Sequence, residues 1–237
     1  MLKNWKLAAV FLLSILAAWC LLLFVKNPLF SVSMFDKQIM NFYVGYELST
    51  ILISLSFLGV LYLLADKLRL GYFNLWRIDG AVRPAPWIGL KPKPGEGWKT
   101  VGLTIGSIIT VVTGIVVYLQ TVSTNGLSVR LVPEIPLILI LALANSFSEE
   151  VIFRLSYATI VANERLSPRI SELLSALTFG AVHYFGIAPS GLAGAAMAAF
   201  IGWFLAKSIN ETKGFFWAWA IHLAQDVVIM FFLFMRR

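Results

Sequence analysis

Charge is scarce in this chain: 13% of its 237 residues are charged, against 59% hydrophobic, and the mean hydropathy is +0.83. A soluble domain carries about a quarter charged residues, so that class is excluded. There is a single cysteine, Cys20, which excludes an intrachain disulfide and reads as a small buried apolar side chain. Internal repeats and low-complexity tracts are absent, which weighs against a transporter built from repeated halves. The last apolar run has no lysine at mid-depth, so a Schiff-base retinal receptor is excluded as well. Histidine occurs only as His183 and His222, and both fall inside apolar stretches.

What the chain has in abundance is long apolar runs, at 7–25, 43–64, 101–118, 135–160, 192–209 and 215–235, with a shorter one at 171–187. About 18 to 20 apolar residues cross a bilayer as a helix. The pattern predicts an all-α, polytopic transmembrane bundle of about seven helices. It divides at about residue 100, into two N-terminal helices with a basic loop (1–100) and a transmembrane core (101–237). Prolines stand between the runs, except Pro136 at the start of one, as helix-start and loop residues should. The first run follows Lys3 and Lys6 like a signal peptide but is too long for one, and Trp19 before Cys20 is not the small residue that lipoprotein cleavage requires. An uncleaved anchor is expected.

A net charge of +7 invites a nucleic-acid reading, but the basic residues follow membrane topology instead. With the N-terminus in the cytoplasm, most of them fall inside: Lys3, Lys6, Arg165, Arg169, Lys207, Lys213, and the run Lys67, Arg69, Arg77, Arg83, Lys91, Lys93 and Lys99. Only Lys26, Lys37, Arg130, Arg236 and Arg237 fall outside. The basic stretch 66–100, with Trp76, Trp87 and Trp98, is expected to lie along anionic headgroups rather than on nucleic acid. Gly194, Ala198 and Gly202, four residues apart, predict close helix packing.

An ionisable side chain in mid-membrane costs about 2.5 to 3.5 kcal/mol on insertion scales, so the few that occur mark function. At about 1.5 Å of rise per residue, Glu149, His183 and Asp226 lie about 16 to 18 Å from the basic-loop ends of their segments, and His222 about 10 Å. Three separate segments thus bring acids and imidazoles to similar depth. Residues four apart share a helix face, so Glu150 pairs with Arg154 and His222 with Asp226, while Glu149 turns about 100° from Glu150 into a cavity. The charge distribution and these depths lead to the expectation that the cavity opens toward the cytoplasm. Taken singly, each feature has a plainer reading: a buried ion pair, an interhelical hydrogen bond, or a proton relay.

Ser148–Arg154 reads SEEVIFR, 179–183 reads FGAVH, and 222–226 reads HLAQD. In this order on three apolar segments they match E-E-x-x-x-R, F-x-x-x-H and H-x-x-x-N/D, and over about residues 135–230 the chain resembles the CPBP family of intramembrane proteases (CAAX protease and bacteriocin-processing, or ABI). The resemblance implies peptide-bond hydrolysis in a membrane cavity, with Glu149 activating water beside His183, His222 and Asp226 facing the oxyanion, and Glu150 and Arg154 in support. Asp226 departs from the asparagine of the eukaryotic enzymes; ionised, it cannot donate to an oxyanion, but it can orient His222. Zinc held by Glu149, His183, His222 and Asp226 is the open alternative, although the H-E-x-x-H pairing is lacking. A bacterial multi-pass membrane enzyme acting on a membrane-embedded or membrane-associated peptide is expected, with no nucleic-acid partner and no oligomeric state implied. The other function classes are a non-catalytic immunity or scaffold protein of the same family, and a transporter with a proton relay.

Overall fold

A computed structural model of the chain describes residues 4–123, 134–186 and 189–235. The elements are α1 (Trp5–Phe24), α2 (Gln38–Leu64), α3 (Trp98–Thr121), α4 (Glu134–Glu150), α5 (Ser156–Asn163), α6 (Pro168–Tyr184), α7 (Gly191–Thr212) and α8 (Phe216–Met235). A five-residue π turn, Val151–Leu155, joins α4 to α5 in one rod. The result is a polytopic helical bundle. Six helices among the described residues are long and apolar enough to cross a membrane, the α4–α5 rod counting as one. The seventh rod, α6, has 17 residues. Cys20, expected to be buried, is only half-buried on α1.

The rods alternate in direction, and one end of the bundle carries the basic loop. There Lys6 at the start of α1 reaches Asp66 beyond α2 at 2.9 Å, and Asn163 at the end of α5 donates to Asp66 at 3.1 Å. These two contacts hold the Asp66 carboxyl down to about 2. Asn163 also accepts from the backbone N–H groups of Lys67 and Leu68. Three chain segments are thereby tied at one face.

The loop 66–97 does not simply skim the headgroups as its composition suggested. It is docked on the ends of α6, α7 and α8. Glu211 is the centre of that docking: its carboxylate pairs with buried Lys207 and with Arg83, and accepts from the Arg83 backbone and from the Trp98 indole at 2.9 Å. Arg83 also pairs with Glu172 on α6. The Trp217 indole donates to the Ile78 carbonyl at 2.6 Å, and the Phe215 N–H to that of Asn74 at 2.8 Å. Lys207, read from sequence as a cytoplasmic charge, is thus a buried partner. Trp98 is buried too, whereas Trp76 and Trp87 remain exposed, as an interfacial role asks.

The expected small-residue seam is present between α6 and α7. A methyl group on Gly202 would come within 2.7 Å of the Ser175 carbonyl oxygen, and one on Gly180 within 2.9 Å of the Ala199 side chain. Only hydrogen fits there. Gly202→Ala should therefore lower stability by about 1 to 3 kcal/mol, the usual range for overpacking. Gly59→Ala, where nothing lies within 4 Å, should be neutral or slightly stabilising. Thermal unfolding of the two purified variants in one detergent compares them, and equal midpoints would contradict the seam.

Candidate active site

The site forms where α4, the π turn, α6 and α8 meet. His222, in the second turn of α8, is its centre. Its Nδ1–H donates to Glu150 Oε1 at 2.7 Å, and its Nε2 stands 3.4 Å from Glu149 Oε2 and 3.6 Å from Asp226 Oδ1. Glu150 also pairs with Arg154 at 3.3 Å, and the guanidinium lies 3.5 Å above the centre of the Phe179 ring. That ion pair lacks hydrogen-bond alignment, and no guanidinium nitrogen of Arg154 has a hydrogen-bond partner among the described residues. Charge and the aromatic face hold this side chain, both effective where water is excluded.

The π turn widens the helix beneath these groups. The Ser156 N–H reaches back five residues to the Val151 carbonyl, and every residue of the turn is buried. Such one-turn bulges are frequent at functional sites. Here it carries Arg154 without breaking the four-residue relation to Glu150, so the predicted pair forms.

Phe179 separates the two imidazoles, with ring centres 4.1 Å from His183 and 5.7 Å from His222. His183 Nδ1 lies 3.0 Å from the Phe179 carbonyl oxygen. A carbonyl only accepts, so Nδ1 carries the hydrogen and, in the neutral ring, Nε2 is left as an acceptor. Four of the six residues singled out from sequence (Glu149, Glu150, His222 and Asp226) thus form one cluster around His222. Arg154 joins it through Glu150, and His183 shares the cavity from the far side of Phe179.

Sequence reasoning missed Asn145, which donates to Asp226 Oδ2 at 2.9 Å. The signal was available, since Asn145 precedes Glu149 by four residues and shares its face. It also missed Glu47 on α2, a buried acid at the same cavity. Any charged residue inside an apolar run qualified for notice.

Zinc ligands must converge to about 2.0 to 2.2 Å from a common point. Among the described residues, no three histidine, cysteine, aspartate or glutamate side chains do so. The four candidates Glu149, His183, His222 and Asp226 are not gathered as such a group.

Glu149, His183, His222, Asp226, Asn145 and Glu47 line one cavity of about 160 Å³. Its other walls come from Leu21, Leu22 and Val25 at the end of α1, Phe42, Tyr43 and Tyr46 near the start of α2, Phe185, Gly186 and Pro189 after α6, and Met230 and Leu233 at the end of α8. All of these lie toward the bundle face opposite the basic loop. On the loop side, Phe73, Phe147, Phe215 and Trp219 pack ring against ring beneath the site. The walls gather on the side away from the basic loop, and we take that side as the mouth, where the depths counted along each segment led to an expected opening on the loop side.

Residues 131–228 match the family described as type II CAAX prenyl endopeptidase Rce1-like, a stretch that contains all six residues singled out from sequence. No curated protein matches the chain. No solved structure matches it.

Breaking a buried ion pair costs about 3 to 5 kcal/mol, whereas replacing both partners by apolar groups is often near neutral. Glu150→Gln should accordingly lower the unfolding midpoint strongly, and the double replacement Glu150→Leu with Arg154→Met should recover most of it. Failure of the double variant to recover would mean that the pair is not the source of the loss. Orientation is checked separately: in a Cys20→Ser background, an impermeant thiol reagent on intact cells should label Ser33→Cys, on the mouth side, and not Ser167→Cys, on the loop side. The reverse pattern would make the mouth cytoplasmic.

Proposed function

We propose that the chain, whose residues 131–228 match the type II CAAX prenyl endopeptidase Rce1-like family, is a membrane-embedded endopeptidase of the CAAX protease (CPBP) type that hydrolyses a peptide bond of a membrane-associated substrate with water activated by Glu149. The observation that carries the reading is the His222 cluster: a carboxylate at the cavity wall, held against an imidazole whose other nitrogen is fixed by a separate carboxylate and arginine.

In this reading Glu149 takes a proton from water and His183 Nε2 accepts the hydrogen bond of the second water hydrogen. The oxygen adds to the substrate carbonyl, whose π electrons become the oxyanion. His222, with carboxylates at both nitrogens, has acceptors for two N–H groups and enters as an imidazolium, its Nε2–H turning to the oxyanion as charge develops. Asp226, steadied by Asn145, keeps the ring in register, and Glu150 with Arg154 fixes the other edge. Collapse of the adduct breaks the C–N bond, and the departing amine takes the proton that Glu149 holds. Donors aimed in advance at such charge, away from water, are the largest contribution to many acyl-transfer rates. A general base adds about 10²- to 10⁴-fold.

A non-catalytic scaffold would need the same buried cluster for stability alone. The two readings part at Glu149, which lines the cavity and makes no ion pair with Arg154. Glu149→Gln keeps size and loses basicity, so cleavage of a membrane-inserted reporter peptide should fall by at least about 10²-fold while abundance stays near wild type. Activity retained by that variant would reject the assignment.

A further inference from the structure

Glu47 lies outside the three motifs and outside residues 131–228, so neither assigns it a task. It is 3% exposed and lines the same cavity as Glu149 and Asp226. One of its oxygens, Oε2, accepts from the Thr50 hydroxyl at 3.1 Å. The other, Oε1, is buried with no hydrogen-bond partner among the described residues. A carboxylate kept for structure would have both oxygens engaged, because an unpaired buried oxygen costs about 1 to 3 kcal/mol.

The local charge count sharpens the point. Glu149, Glu150 and Asp226 share His222, with Arg154 and Asn145 as further partners. None of these cationic groups contacts Glu47, so the wall on the α2 side is left with an uncompensated acid. Around it the wall is aromatic: Phe42, Tyr43 and Tyr46 line the cavity, with Phe42 stacked on Tyr46 at 6.2 Å and edge-on to Tyr43 at 5.4 Å. A carboxylate beside aromatic faces suits a cation, through ion pairing and through the ring quadrupoles. A neutral N–H would return less of the desolvation cost than a full positive charge. Leu21, Leu22 and Met230 on the same cavity offer apolar surface for an alkyl stem.

We infer that Glu47 anchors a substrate subsite that takes an alkylammonium group, as on a lysine side chain near the scissile bond. This rests on the cavity being where the substrate binds, and binding and cleavage are therefore read apart. The probes are acetyl-Leu-Leu-Lys-Leu-Leu-amide and the same peptide with norleucine for lysine, added to full-length protein in nanodiscs of zwitterionic lipid. Glu149→Gln is present throughout the binding measurements to prevent turnover. The lysine peptide should bind at least about tenfold more tightly than the norleucine peptide, the usual size of a charge-assisted hydrogen bond. Adding Glu47→Gln should bring that ratio close to one, and Glu47→Lys should favour a glutamate peptide instead.

Equal binding of the two peptides, binding of neither, or a ratio unchanged by Glu47→Gln would overturn the inference. Cleavage is then followed with quenched versions of the peptides and protein that retains Glu149. Selective binding without any hydrolysis would sink the endopeptidase reading and leave the subsite standing. Hydrolysis with no preference for lysine would do the opposite.

Discussion

A charge taken out of water must find a partner, and in this protein that requirement converges on His222. Its two ring nitrogens face three carboxylates, one of which is held in turn by Arg154. Each link makes the next affordable. Arg154, without aligned hydrogen bonds of its own, relies on Glu150 and on the face of Phe179; the backbone of Phe179 fixes His183. Four segments of chain are thereby committed to one arrangement, because moving any of them strands an ion in a low-dielectric interior.

Much of this was legible in the sequence, for a physical reason. Lipid forces backbone polar groups to be satisfied within helices, so apolar run length translates into rods almost directly. Within a rod the four-residue rule is geometric, and it paired Glu150 with Arg154 and His222 with Asp226 before any coordinates. Small residues on α7 likewise announced a close contact, since few other roles favour Gly194 and Gly202 in an apolar helix.

What stayed hidden depends on contacts between segments far apart in the chain. The π turn at Val151–Leu155 has no compositional mark, being as apolar as the α-helix around it. The docking of loop 66–97 depends on Glu211, a residue that looks like an ordinary helix-end acid until Arg83, Lys207 and Trp98 surround it. The side of the opening was not legible because depth along a helix has no sign: the same distance serves a cavity reached from either end. Only the lining residues favour a side, since Leu21, Tyr43 and Leu233 come from helix ends away from the basic loop.

The cavity draws its walls from α1, α2, α4, α6 and α8, with Leu21, Tyr43 and Leu233 all at helix ends away from the basic loop. If the proposed hydrolysis takes place there, the substrate and both fragments would share that side of the bundle, and a released fragment would compete with incoming substrate for the same doorway.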